Sequence, residues 1–329
     1  MGRTYDTNTT ADELVGDFAH DIKGKVILTT GVTLGSLGAA FVESVAKSQP
    51  GLLILAGRNV EKLKETAEKI TAAQSNVKVR ALTLDLNSLA AVRQSAETVN
   101  SWDDVPHIDV VVNSAGLMAS PYMLTVDGFE SQFGVNHLGH FLFTNLIMPK
   151  ILASKAPRVV NITSDGHRLN PMRWSDYNFD NGETYNKWHG YGQSKTANML
   201  MITSLAEKLG PKHGLLAFSL HPGAVQGTNL GSFCNWEVDY TALMAADKAL
   251  GNPEGWVTEF NFKSQQRGVA TFIYAAFDQS LKNHNGAYLI DSRIGDPWKD
   301  TIKPWATSRL EAERLWKLSE KLIGQEFAY

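Results

Sequence analysis

Four times between Lys25 and Met148 a short apolar run, rich in β-branched residues, gives way to a stretch whose apolar positions recur every three or four residues. The runs are Lys25–Thr30, Leu52–Ala56, Val77–Leu84 and Asp109–Val112, and the helical stretches are Ser36–Ser48, 60–74, Ser88–Asn100 and Gly128–Met148. Runs that are apolar throughout predict strands covered on both faces. Strands alternating with helices predict right-handed crossovers and a parallel sheet between two helical layers. Three further runs, Arg158–Ile162, Leu215–Leu220 and Gly286–Ile290, bring the expected total to about seven strands. The fold class is therefore α/β, a single Rossmann-type, doubly wound parallel sheet. With 329 residues, 43% of them hydrophobic, the chain can bury such a core in one domain. The organisation expected is an N-terminal extension over 1–23, the sheet domain over 24–290, and a C-terminal helical extension over 291–329.

Composition narrows the partners. A net charge of −3 with scattered basic residues argues against a nucleic-acid surface. The single cysteine, Cys234, excludes an intramolecular disulfide and any multi-cysteine metal site. His137 and His140 have no further ligand at metal spacing, so no metal is expected and both read as packed or surface histidines. Residues 1–23 are polar and acidic, unlike a secretory leader, and no apolar stretch approaches the ~20 residues of a membrane span. A cytoplasmic protein with a small-molecule partner and no membrane follows; oligomeric state stays open.

In such sheets ligands gather at the carboxyl ends of the strands, and there the sequence places its unusual residues. The first run ends in Thr30-Gly31-Val-Thr33-Leu34-Gly35-Ser36-Leu37-Gly38. Glycines permit a tight turn and close approach to a pyrophosphate, and the helix start beyond offers unpaired N–H groups to it. Ordinary turn glycines are the plain alternative. The second run ends in Gly57-Arg58-Asn59 with no acid to bind a ribose 2′-hydroxyl. An arginine there pairs instead with the 2′-phosphate of NADP; otherwise Arg58 is a solvated charge opening the next helix. Asp85-Leu86 and Asn113-Ser114-Ala115-Gly116 close the third and fourth runs, and Asn136 sits among apolar neighbours, as structural glue or a site residue.

Tyr191-Gly-Gln-Ser-Lys195 sets a phenol and an ammonium one turn apart on an amphipathic helix reaching about Leu209. A neighbouring cation lowers a phenol's pKa, so Tyr191 is expected to exchange protons near neutrality. The fifth run delivers Thr163-Ser164-Asp165 to the same edge, and the sixth ends in His221-Pro222-Gly223-Ala-Val225-Gln-Gly-Thr228. Two ring-rich stretches flank these residues. Gly166–Trp188, with Trp174, Tyr177, Phe179, Tyr185 and Trp188, reads as a pocket wall or a self-packed loop. Asn229–Asn261, with Phe233, Trp236, Tyr240, Met244, Trp256 and Phe260, reads as a lid with one or two short helices, or a docked insertion. Together the substrate-side loops span 164–190 and 222–262. Ser308-Arg-Leu-Glu311 is a capping box opening a tail helix through Leu315, Leu318 and Leu322, free to pack on its own subunit or on another.

As a set, and in this order, these motifs resemble the short-chain dehydrogenase/reductase family over roughly Gly24–Ile290. Val135-Asn-His-Leu-Gly-His-Phe141 and Val160-Asn-Ile-Thr-Ser164 are similar to its retinol-dehydrogenase and WW-domain-oxidoreductase branch. The resemblance implies hydride transfer with NADP(H). It makes Tyr191 the acid that protonates a carbonyl oxygen, Ser164 a donor to that oxygen, Lys195 the holder of the nicotinamide ribose, and Asn136 part of a proton relay through Lys195. Gly31, Thr33, Leu34, Gly35, Ser36, Leu37 and Gly38 would shape the pyrophosphate turn, with Arg58 and Asn59 at the 2′-phosphate. Asp85 and Leu86 would form the adenine pocket, Asn113, Ala115 and Gly116 would lie along the adenosine ribose, and Val225 and Thr228, after Pro222-Gly223, would clamp the carboxamide.

Three positions depart from the family pattern. Gly38 and Thr228 each fall one residue later than usual, and Ser114 replaces an asparagine or alanine. The expected function is an NADPH-dependent carbonyl reductase acting on a bulky or apolar ketone or aldehyde. Its alternatives are an NADP-dependent alcohol dehydrogenase of retinol or steroid type, or a non-catalytic NADP-binding sensor. No Gly-x-Ser-x-Gly elbow or P-loop favours a hydrolase.

Overall fold

The computed structural model describes residues 4–258 and 261–329; Phe260, expected in the lid, lies outside them. Two short helices, α1 (Ala11–Asp17) and α2 (Ala19–Ile22), open the chain. Thr10 and Glu13 cap α1 reciprocally, and Ala11, Leu14 and Val15 are buried. This N-terminal stretch is thus an ordered, amphipathic part of the core, although its polar composition hid the apolar face.

The alternation then unfolds as β1 (Val26–Thr30), α3 (Leu37–Ala46), β2 (Leu52–Gly57), α4 (Val60–Ala73), β3 (Val79–Thr83), α5 (Leu89–Asn100) and β4 (Val110–Asn113). Ser36, Asn59 and Ser88 start the three helices, each side-chain oxygen accepting a first-turn amide.

The continuous helix expected over Gly128–Met148 is instead four pieces: α6 (Ser131–Phe133), a π-helical stretch at Gly134–Gly139, α7 (His140–Leu146) and α8 (Met148–Leu152). Gly128, at φ +83°, turns the chain, and the Glu130 carboxylate caps the amides of Gln132 and Phe133, which delays the start. The π stretch displaces the register at Asn136, and such single-turn bulges recur at functional sites.

The remaining elements are β5 (Arg158–Ile162), α9 (Lys187–His213), β6 (Leu216–His221), β7 (Ala224–Val225), α10 (Trp236–Ala249), β8 (Phe262–Lys263), α11 (Gln265–Phe277), β9 (Tyr288–Ile290), β10 (Arg293–Ile294) and α12 (Arg309–Ile323). Eight strands form the main sheet in the order β10-β9-β6-β5-β4-β1-β2-β3, and β7 pairs with β8 in a separate ribbon. All pairs in the main sheet are parallel except β9 with β10, an antiparallel edge beyond the seven strands expected. One face carries α5, α7, α9 and α12, with Val92, Phe141, Leu200 and Trp316 in its core; the other carries α1, α3, α4 and α11, with Leu14, Phe41, Ile70 and Phe272. The tail helix α12 lies on its own chain: Trp316 meets Phe141 edge-on at 4.8 Å, and Ser319 Oγ stands 2.8 Å from His137 Nε2.

Because the chain runs outward from β1 to β3 and then returns to β4 on the other side of β1, the order reverses between β1 and β4. That reversal opens a crevice at the strands' carboxyl ends.

Candidate active site

Ser164 lies two residues beyond β5 and Tyr191 occupies the second turn of α9, and the two side chains come together at the carboxyl edge. Glycine makes this contact close: a Cβ at Gly166 would lie 2.8 Å from Tyr191 Cε1 and 3.3 Å from Ser164 Oγ. Ser164 accepts from the Gly166 amide at 2.9 Å and donates to Asp165 Oδ1 at 2.9 Å. That donation uses the only hydroxyl hydrogen of Ser164.

Lys195 lies one turn beyond Tyr191, 4% exposed, its Nζ donating to the Ile162 carbonyl at 3.0 Å and standing 5.5 Å from the centre of the Tyr191 ring. Here the structure reverses an expectation. Burial raises the Tyr191 pKa above its ordinary value; the Ser164 hydrogen bond opposes this and the Asp165 charge adds to it. Lys195 does not offset the rise, because its ammonium is aimed at a carbonyl and burial lowers its own pKa to about 8. At neutral pH the tyrosine is a protonated phenol, an acid rather than a base.

Asn136 is fully buried and all of its side-chain polar atoms are engaged. Its Oδ1 accepts from Leu117 N at 2.7 Å, and its Nδ2 donates to Leu117 O and to Ser194 Oγ, both at 2.9 Å. The side chain thus ties the segment after β4 to α9, beside Lys195. The Asn136 carbonyl faces His140 Nδ1 at 3.1 Å, while His140 Nε2 faces Thr30 Oγ1 at 2.9 Å. Neither Thr30 nor His140 was singled out in the sequence as a site residue, although Thr30 immediately precedes the first glycine and His140 lies four residues after Asn136. The two histidines do not face one another, and among the described residues no cluster could hold a metal ion.

Along the crevice the residues fit a dinucleotide. A Cβ at Gly31, which sits at φ +72°, would fall 2.6 Å from Ala115 Cα, and one at Gly38 would fall 2.6 Å from the Gly31 carbonyl. These two glycines hold the turn against the end of β4 and the start of α3. Ser36 both caps α3 and donates to the Gly31 carbonyl at 2.7 Å. The first amides of α3, at Leu37 and Gly38, have no partner within the helix. Thr33, Leu34 and Gly35 form the outer rim of this turn, Gly35 being exposed. A Cβ at Gly116 would lie 3.1 Å from Asn136 Oδ1 and 3.7 Å from Lys195 Nζ, so the backbone there leaves a clear approach to the lysine.

Arg58 is exposed at the end of β2, and Asn59 beside it caps Lys62 N at 3.1 Å. Asp85 turns back to the Asn87 amide at 3.0 Å, and Leu86 is buried. The Asn113 Nδ2 donates to Thr144 Oγ1 and Asn161 Oδ1 inside the fold, leaving the backbone of Ser114–Gly116 at the edge. Pro222 and Gly223 follow β6, Val225 ends β7, and Thr228 precedes a 3-10 turn at Asn229–Gly231.

Over the Ser164–Tyr191 pair lies the 222–262 segment, carrying the 14-residue α10. Ala119, Leu169, Trp188, Leu243, Met244 and Ala246 form an apolar cluster beneath it, with Met118, Cys234 and Tyr240 packed alongside. Of the five rings in the 166–188 stretch only Trp188 joins this cluster. Trp174 and Tyr177 pack on the core below the sheet, and Phe179 and Tyr185 pack on each other at 5.2 Å.

A buried arginine anchors α10. Arg168 pairs with both Asp247 oxygens at 2.8 Å and with Asp165 Oδ2 at 2.6 Å, so the serine loop and the end of α10 share one cation. At the front, Lys187 Nζ holds Asp239 at 2.7 Å.

A doubly wound sheet with a glycine turn at its switch point and a Ser-Tyr-Lys group beside it defines a dinucleotide-dependent oxidoreductase. The chain belongs to the short-chain dehydrogenase/reductase family, whose members use a nicotinamide cofactor on small-molecule substrates. The short chain dehydrogenase family model matches residues 25–178. Retinol dehydrogenase 13 of Mus musculus is 35% identical over 309 residues, covering 94% of this chain and 86% of that protein. WW domain-containing oxidoreductase of Gallus gallus is 33% identical over 328 residues, covering 98% and 73%. An uncharacterized protein of Mycobacterium paratuberculosis superposes with a TM-score of 0.68 at 29% identity, covering 94% of this chain and 98% of its own.

Proposed function

We propose that this protein is an NADPH-dependent carbonyl reductase that converts a bulky, apolar ketone or aldehyde to an alcohol. The observation that carries the reading is the placement of Ser164 beside the buried phenol of Tyr191, because reduction consumes a proton at the carbonyl oxygen.

NADPH, when bound, supplies the hydride to the carbonyl carbon. Tyr191 gives its phenolic proton to the oxygen as the C–O double bond becomes single, so the product is the neutral alcohol. Ser164 leaves Asp165 to donate to the same oxygen, stabilising the charge that develops there. Lys195, with a pKa near 8, is mainly cationic at pH 7 and would hold the nicotinamide ribose. Asn136 fixes the segment that faces Lys195. Gly31–Gly38 would hold the pyrophosphate, Arg58 the 2′-phosphate, and Val225 and Thr228 the carboxamide. The apolar cluster of Met118, Leu169, Trp188 and Met244 beneath the lid supports an apolar substrate.

The names of the retinol dehydrogenase relatives favour a second reading, oxidation of an apolar alcohol by the same groups. One experiment separates them: NADPH consumption across ketones and aldehydes, and NADP+ reduction across alcohols, with NADH and NAD+ in parallel. Turnover only with alcohols would reverse the direction proposed, and preference for NADH would remove the role given to Arg58.

A further inference from the structure

Gln265, the first residue of α11, reaches two loops at once. Its Nε2 donates to the Gly35 carbonyl at 3.0 Å and to the Gly227 carbonyl at 3.2 Å. Gly35 belongs to the turn after β1 and Gly227 to the loop after β6, and β4 and β5 lie between those strands in the sheet. One amide therefore joins loops that the strand order keeps apart.

Both carbonyls belong to glycines at positive φ, +83° at Gly35 and +75° at Gly227, and a Cβ at either would meet nothing within 4 Å. Space does not call for glycine at these positions. The backbone conformation that aims each carbonyl does.

We propose that Gln265 is a latch that holds the glycine turn to the loop after β6, closes one wall of the nucleotide crevice, and limits how fast the nicotinamide nucleotide leaves. Gly35 borders the amides of α3 assigned to the pyrophosphate, and Gly227 borders the residues assigned to the carboxamide. The latch thus ties together the segments that grip the two ends of the cofactor. This rests on the cofactor placement above and is independent of which carbonyl is reduced.

Nucleotide binding to the full-length protein tests it. Gln265→Ala removes both hydrogen bonds, and Gln265→Glu also replaces the donor with a carboxylate that repels both carbonyls. NADPH affinity is read by fluorescence titration and release by stopped-flow displacement with excess NADP+, and both are repeated with NADH. Each variant is expected to release nucleotide about tenfold faster, as two net hydrogen bonds allow, with association unchanged. The factor should be equal for NADPH and NADH, because the latch faces parts that the two share. Gly227→Ala, strained at positive φ, should move release in the same direction and serves if a Gln265 variant does not fold. Release within twofold of wild type in all three variants overturns the latch alone. A wild-type protein that binds neither nucleotide overturns the cofactor reading with it.

Discussion

The hydroxyl of Thr30 donates its hydrogen to Nε2 of His140, 2.9 Å away. The direction is forced, because the same oxygen already accepts the amides of Ser114 and Ala115, each at 2.9 Å, and a hydroxyl has only two acceptor positions. His140 must then carry its proton on Nδ1, where it donates to the Asn136 carbonyl. A neutral imidazole of fixed tautomer thus connects the end of β1 to the π stretch that holds Asn136. Burial lowers its pKa to about 4. Nitrogen NMR of the imidazoles should show His140 as the Nδ1–H tautomer from pH 8 to pH 5, and a titration near 6.5 would refute this wiring.

Tyr191→Phe removes the proton that reduction requires while leaving the crevice intact. Turnover should fall by at least the ~10²–10⁴-fold typical of a lost general acid, with NADPH affinity unchanged. Unaltered turnover would remove Tyr191 from the mechanism.

Arg58→Ala is expected to weaken NADPH binding about tenfold or more and to leave NADH nearly untouched, because a charge-assisted pair to the 2′-phosphate is lost. Equal effects on both nucleotides would place Arg58 elsewhere in binding.

Asp247→Ala leaves Arg168 buried without its bidentate partner. Breaking such a pair on one side costs roughly 3–5 kcal/mol, so thermal unfolding should shift down markedly. Glu254→Gln, at a contact of 3.6 Å with a partly exposed carboxylate, should cost far less. Similar losses for the two would contradict the anchor assigned to Asp247.

Acid should destabilise the fold well above the range of ordinary carboxylates. Burial lowers the pKa of His137 to about 3 and of His140 and His167 to about 4, and lowers those of His189 and His221 as well. Below pH 6.5 the unfolded chain therefore binds protons on these rings that the native state refuses. Glu130 acts oppositely: burial raises it to about 7, so the native state holds one proton more between pH 7 and 4.5. Three deeply lowered histidines against one raised carboxyl leave a net uptake of two protons on unfolding. Stability should then fall by up to roughly 3 kcal/mol per pH unit as pH drops from 6.5 toward 4.5. Denaturant midpoints at pH 7.5 and pH 5 that coincide would refute it.

The alternation of apolar runs with helical stretches was enough to place seven strands and the helices between them, since periodicity records which faces are buried. The motif residues at the strand ends were equally legible, because parallel strands must deliver them to one edge. Less visible were features made by contacts distant in sequence. The helix around Asn136 broke into four pieces because Glu130 caps it locally and the π stretch answers to tertiary packing. The apolar side of α1 was masked by polar composition, although its capping box, Thr10 to Glu13, could have been read. Asp165 and Arg168 stood beside Ser164 as unremarked charges until the fold brought Asp247 to them.

The sequence by itself determined the doubly wound sheet, the carboxyl-edge position of Ser164 and Tyr191, and the absence of an acid beside Arg58, because these follow from local pattern and strand direction. Only the tertiary structure decided the protonation of the tyrosine, the tautomer of His140, the anchoring of α10 and the bridge from Gln265 to two loops. Desolvation and hydrogen-bond partners depend on what the rest of the chain packs around a group, and spacing along the chain carries no record of that.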